Sequence, residues 1–324
     1  MKKEIVTPGT LGGDRSYGFG ISADGSVLVG KSKNETGQDR AFCWMPDKGM
    51  TDLGTLSGAS SSAWDVSVGG SVIVGESRVS DGGTHAFLLA RGEEMVSLGT
   101  LGGRDSRAFG VSADGSVVVG DSRNSLQQNR AFRWSRGEGM ISLRTLGGSY
   151  SIANGVSADG SLIVGQSEKA DGYTSAFCWT WRDGMQDLGT LGGSYSIAHG
   201  ISGDGSVIVG EAETADGSVH AFRWTGADGM TDLGTLGGEK SFAADVSADG
   251  SVIVGRSIDT AGYDVAFLWH AGEGMTGLYG DPDTAEDPSS IQTFITAYGI
   301  SDDGRVIIGC GVAERKSRAF IVRL

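Results

Sequence analysis

An Ala-Phe pair returns seven times along the chain, at Ala41-Phe42, Ala86-Phe87, Ala131-Phe132, Ala176-Phe177, Ala221-Phe222, Ala266-Phe267 and Ala319-Phe320. Five of the steps are 45 residues and the last is 53. A unit that recurs with its apolar residues in place must stack on copies of itself, so this period constrains the fold more than any other property. Helical solenoids would need apolar residues every three or four positions, and no such run is sustained. A parallel β-helix would need shorter coils.

Each unit instead reads as four short strands. The first ends in Gly20-Ile21-Ser22 or Asp65-Val66-Ser67 and their counterparts. The turn Ala-Asp-Gly-Ser follows, at 23–26, 113–116, 158–161 and 248–251. There Gly supplies positive φ and Asp bonds nearby amides, which makes a hairpin. The second strand is a β-branched run such as Ser206-Val207-Ile208-Val209-Gly210, the third is Ala-Phe-x-Trp, and the fourth is Gly-Met-x-x-Leu-Gly-Thr-Leu. Four-stranded units of this length are the blades of an all-β, seven-bladed β-propeller. Trp44, Trp134, Trp179, Trp224 and Trp269 recur at one position, where a ring fills the gap between adjacent sheets. The 56 glycines, with only 4 prolines, are consumed by tight turns.

The chain ends complete the reading. The last repeat stops at Leu324 with three strands, while Glu4-Ile5-Val6-Thr7-Pro8-Gly9-Thr10-Leu11 aligns with the fourth strand of other repeats. Residues 1–11 are therefore expected to complete the seventh blade and tie the first to the last, making residues 1–324 one domain.

A formal charge of −14 repels phosphate backbones and anionic headgroups, which argues against nucleic acid and membrane surfaces as partners. No stretch of 18 apolar residues is present, so no helix of this chain is expected to insert in a membrane. Cys43 and Cys178 occupy the same position in repeats 1 and 4 and would lie far apart in a ring, so no disulfide framework is expected. Met1-Lys2-Lys3 is followed by Glu4 and not by an apolar segment. The expectation is a chain without an export signal of its own, either internal to the cell or a piece of something exported.

His85-Ala86-Phe87 and His220-Ala221-Phe222, Leu-Gly-Thr-Leu-Gly-Gly, and Ser-Ala-Asp-Gly-Ser-Val-Ile-Val-Gly together resemble the HAF family of extracellular repeats, over the entire chain. The resemblance implies an exported bacterial protein, in some cases the passenger of an autotransporter, with no known catalytic residues. It implies an extracellular or cell-surface location, with the cytoplasm as the alternative.

No Walker-type loop, nucleophile elbow or Cys-x-x-Cys pair occurs. His85 and His220 lie three repeats apart and cannot share a metal. Asp24, Asp114, Asp159, Asp204, Asp249 and Asp303 form a ring on one face, but each stands alone in its turn, so turn capping is expected rather than calcium. Neither a metal nor another cofactor is expected.

The informative positions are those where the repeats disagree, because packing alone would repeat the same residue. One position of the first strand reads Phe19, Trp64, Phe109, Asn154, His199, Ala244 and Tyr298; two residues earlier stand Tyr17, Ser62, Arg107, Ile152, Ile197, Phe242 and Thr296. The first strand of a blade is innermost, so these side chains are expected at the channel, as a plug or as a site. Tyr17, Phe19, Trp64, Arg107, Phe109, Asn154, His199 and Tyr298 are the candidate ligand-binding residues. An acidic insertion before the last repeat adds Asp281 and Asp283. The function expected is non-catalytic binding or display by a monomer, with a glycan or protein partner. The alternatives are a polysaccharide- or lactone-processing enzyme using Arg107, Asn154 and His199, and a structural spacer. A broad aromatic patch would favour binding, and ionisable side chains within hydrogen-bonding distance would favour an enzyme.

Overall fold

The computed structural model describes residues 4–279, 291 and 293–324. Among them it has twenty-eight strands and no helix. The pairing is local: Gly12–Ile21 pairs antiparallel with Leu28–Asn34, that with Asp39–Met45, and that with Gly49–Asp52. The next five repeats follow the same order. Single parallel bridges, Asp105 with Thr84 and Val219 with Lys240, join two pairs of neighbouring units. The last group runs Thr293–Ile300, Val306–Ala313, Lys316–Arg323, and its fourth strand is Glu4–Val6 from the other end of the chain, with Ile5 opposite Val322.

The fourth strand is shorter than the apolar pattern suggests. It stops at Asp52 in the first unit, and Leu53-Gly54-Thr55-Leu56 is a connection outside the strands. The inner strand takes up that length, beginning at the Gly-Gly pair and running ten residues in most units. A threonine hydroxyl organises the corner: Thr100 Oγ1 donates to the Gly103 carbonyl and accepts the Gly102 N–H.

Inner strands pack side by side around a closed ring, with Thr293–Ile300 touching Gly12–Ile21. Ala23, Val68, Ala113, Ala158, Gly203, Ala248 and Asp302 each donate a backbone N–H to the carbonyl of the next, at 3.0–3.3 Å, and Asp302 donates to Ala23. The core lies between units. Val74 and Leu88 pack with Val118 and Phe132 of the following unit, and Trp44 packs with Ile308 and Ile321 of the preceding one. All seven repeated phenylalanines are fully buried.

Buried serines bolt the units together. Ser106 Oγ accepts the N–H of Ala86 in the preceding unit at 2.9 Å and donates to the Gly99 carbonyl at 2.6 Å. Equivalent serines at 16, 61, 151, 196 and 241 accept from Ala319, Ala41, Ala131, Ala176 and Ala221. A polar side chain with no access to water is tolerated because its hydrogen-bonding groups are matched.

One irregularity shapes the channel. In every unit the inner strand shifts register where the second strand carries its glycine, between Gly18 and Gly20 and between Ala63 and Asp65, for example. A Cβ on Gly120 would lie 1.9 Å from the Arg107 carbonyl, so only glycine lets the inner strand bulge toward its partner. The residue skipped by each bulge is the variable one: Phe19, Trp64, Phe109, Asn154, His199, Ala244 and Tyr298.

Candidate functional site

The seven bulged residues form a half-buried ring across the channel and divide it into an upper and a lower cavity, and all seven line both. The upper cavity, of about 580 Å³, lies on the side of the connections between second and third strands. Its floor has two halves. Four aromatic side chains stand in sequence on one side: Phe19 stacks on Trp64 with centroids 4.5 Å apart and meets Tyr298 edge-on at 5.4 Å, and Trp64 meets Phe109 edge-on at 5.8 Å. Asn154 and His199 hold the other side, and Ala244 leaves a notch in the ring. Through that notch the cavity reaches outward between Glu211, Phe242, Arg256 and Thr296.

Of the residues expected at the site from sequence, Phe19, Trp64, Phe109, Asn154, His199 and Tyr298 line this cavity. Tyr17 stands behind Phe19, its ring parallel and 6.2 Å away, and Arg107 turns aside to pair with Glu76 at 3.2 Å. Neither is among the cavity walls, so the trio of Arg107, Asn154 and His199 is not brought together as one set. Asp281 and Asp283 lie outside the described residues.

Glu211 and Arg256 belong to a second variable ring that the inner-strand comparison misses. In the motif Val/Ile-Gly-x-Ser or its Ala and Gly variants, x is Lys31, Glu76, Asp121, Gln166, Glu211, Arg256 and Cys310. Six different side chains in seven units, set directly after the fixed glycine, are the signal that marks it. Each such residue lies opposite a position-17 equivalent, as Lys31 lies opposite Tyr17 and Glu211 opposite Ile197.

The electrostatics of the upper cavity follow from burial. Desolvation pushes the Glu211 carboxyl up to about 7, against the weaker opposing pull of Arg256, and holds His199 down to about 4, so the imidazole is neutral near pH 7. The two face each other at 3.7 Å, beyond hydrogen-bonding range. Arg256 pairs with Asp264 at 3.4 Å and lies 4.6 Å over the Phe242 ring. The Trp64 Nε1, Asp121 Oδ1 and Gln166 Oε1 atoms are buried without a hydrogen-bond partner.

The lower cavity, of about 230 Å³, contains Asp65 and Asp245, which stand where five units have glycine. Each carboxylate spans two units: Asp65 accepts the N–H groups of Val66 at 2.7 Å and Val111 at 2.9 Å, and Asp245 those of Val246 at 2.8 Å and Ile300 at 3.0 Å. Burial raises both to about 7 despite these donors. The turn carboxylates on the lower rim are saturated by their own turns: Asp24 Oδ1 accepts from Ser22 Oγ and from both Ser26 donors, which lowers its pKa. Among the described residues no three His, Cys, Asp or Glu side chains gather closely enough to hold a metal ion.

No protein-family model and no curated protein sequence matches the chain. Its backbone is similar to that of solved proteins at low identity. A putative TolB from Agrobacterium tumefaciens aligns at 16% identity over 68% of this chain and 80% of that one, with a TM-score of 0.52. TolB from Acinetobacter baumannii aligns at 12% identity over 93% and 81%, with a TM-score of 0.51. An oligogalacturonate lyase in complex with manganese aligns at 12% identity over 96% and 90%, with a TM-score of 0.59. The fold is a β-propeller. At these identities the likeness extends to the propeller architecture and to nothing in the site.

Proposed function

We propose that the chain is a non-catalytic binding module: a closed seven-bladed propeller, displayed outside the cell, that takes a saccharide in the upper cavity. The observation that carries this reading is the division of the ring. A sugar ring offers an apolar face of C–H groups and an edge of hydroxyls. Phe19, Trp64, Phe109 and Tyr298 offer matching aromatic surface on one side, and Asn154, His199, Glu211 and Arg256 offer polar groups on the other. The resemblance to exported HAF repeats supports the location, and a protein partner carrying glycans fits the same cavity. A glycan array probed with the intact chain tests the proposal. Saccharide binding that Trp64→Ala abolishes supports it; a blank array, or binding that Trp64→Ala leaves intact, counts against it.

One observation favours a second reading. Glu211, with its pKa near neutrality, faces a neutral imidazole, and such a pair could exchange protons with a bound ester or glycoside. The 3.7 Å separation and the contiguous aromatic surface favour binding over catalysis. Product formation from an oligosaccharide or lactone, lost in Glu211→Gln, would reverse that preference.

A further inference from the structure

The cavity that we read as a saccharide site contains one acidic side chain, Glu211, that makes no contact with a cationic side chain among the described residues. The basic groups around it are all engaged: Lys31 lies 5.4 Å over Tyr17 and 5.8 Å over Phe19, Arg107 pairs with Glu76, and Arg256 with Asp264. Glu211 is not. Its residue is only 9% exposed, what remains exposed faces the cavity, and the nearest basic nitrogen is that of His199 at 3.7 Å, which burial keeps uncharged. The same position in the two preceding units repeats the shortage, because Asp121 Oδ1 and Gln166 Oε1 also lack a donor. In the unit before those, the equivalent Glu76 is matched by Arg107 from the next blade; after Asp121 and Gln166 the matching positions are Ile152 and Ile197, which have nothing to donate. Of these three acceptors only Glu211 is among the cavity walls, so it is the one that a ligand bringing a donor would meet.

A desolvated carboxylate without a cation is costly, so the complement to Glu211 is a positive charge supplied from outside. A metal ion does not fit, since it needs several such ligands together and the described residues provide no group of three. An ammonium does. The aromatic half of the cavity suits it as well, because ring faces attract cations, and the protein's own Lys31 ammonium already rests on Tyr17 and Phe19.

We propose, resting on the saccharide reading, that the ligand is an amino sugar with a free amine, the amine entering the notch left by Ala244 to meet Glu211 while the ring lies on Trp64 and its aromatic neighbours. The notch is the specificity pocket, and Glu211 distinguishes the amine from an acetamide or a hydroxyl at the same carbon. An acetamide has no charge to offer and places a methyl group against the carboxylate.

Calorimetric titration tests this with three probes of equal length: glucosamine trimer, N-acetylglucosamine trimer and the neutral glucose trimer. The expected result is affinity for the glucosamine trimer at least about tenfold above the other two. Glu211→Gln should abolish that preference while residual affinity for the neutral trimer persists. Ala244→Phe, which places in the sixth blade the ring that others already carry, should exclude the amine with the fold intact by circular dichroism. Equal affinity for the three trimers, or a preference that survives Glu211→Gln, would overturn the amine assignment and leave the saccharide reading standing. No binding of any trimer would overturn both.

Discussion

The backbone N–H of Asp302 donates to the carbonyl of Ala23 at 3.1 Å, so residues 279 positions apart close a ring of seven hydrogen bonds around the channel. At the periphery the same two ends meet again, where Glu4, Ile5 and Val6 pair with Arg323, Val322 and Ile321. Ile5 packs on the core cluster containing Val322 and Leu268. Removing residues 1–10 exposes the edge of Lys316–Arg323 and part of that cluster, at a cost of about 1–3 kcal/mol. The melting temperature should fall by several degrees. A superimposable melting curve would show that the N-terminal strand contributes nothing to closure.

The inter-unit serines predict a loss out of proportion to their size. Ser106→Ala deletes one oxygen but strands the buried Ala86 N–H and the Gly99 carbonyl. Denaturant unfolding should register about 1–3 kcal/mol. A change below half a kilocalorie would mean that water replaces the hydroxyl.

Two glycines separate geometry from composition. Gly120→Ala places its methyl 1.9 Å from the Arg107 carbonyl and should cost about 3 kcal/mol or prevent folding. Gly137→Ala meets nothing within 4 Å at an ordinary backbone angle and should be neutral or stabilise by about 0.4–1 kcal/mol. Thermal melts of the two variants check the pair, and similar losses in both would contradict the bulge account.

The strands were legible in sequence because the repeat copies its turn chemistry and buried residues, from the Asp-Gly hairpins to Phe42 and its six counterparts. The boundary of the fourth strand was not, since Leu53 and Leu56 are apolar for packing in a connection and not for sheet pairing. Six channel-lining residues were legible through their variation between repeats. The physical reason for that variation was hidden: these are bulged residues, and a bulge requires a glycine on the neighbouring strand rather than any signal in its own. Glu211 and Arg256 escaped notice because they sit in the second strand, after its apolar run, and reach the cavity through the notch at Ala244, a consequence of placement around the ring. Arg107 looked like a channel residue in sequence, but the carboxylate of Glu76 draws it aside.

Buried ionisable groups predict a pH dependence with a definite sign. Asp65 and Asp245 titrate near 7 in the folded chain against 3.8 for an ordinary Asp, so the native state holds protons that the unfolded chain has released. Their contribution is fully present below about pH 4 and is lost as pH rises through 7, on the order of 4 kcal/mol for each group. Glu211 acts in the same direction. His199, held down to about 4, acts oppositely: its contribution is present above its ordinary 6.5 and is lost as pH falls toward 4. Stability should therefore decline from about pH 4 to about pH 7 and level off above it, and Asp65→Asn with Asp245→Asn should flatten the decline. An unchanged slope in the double variant would place the titrating groups elsewhere.

The central claim is that the divided ring at the channel mouth is a saccharide site. Calorimetric titration of wild type, Trp64→Ala and Ala244→Phe with the glucosamine trimer tests it most directly. The account predicts a single site in the wild type and at least about a tenfold loss of affinity in each variant, with folding preserved. Equal affinity in all three proteins would place the site away from this cavity and contradict the account.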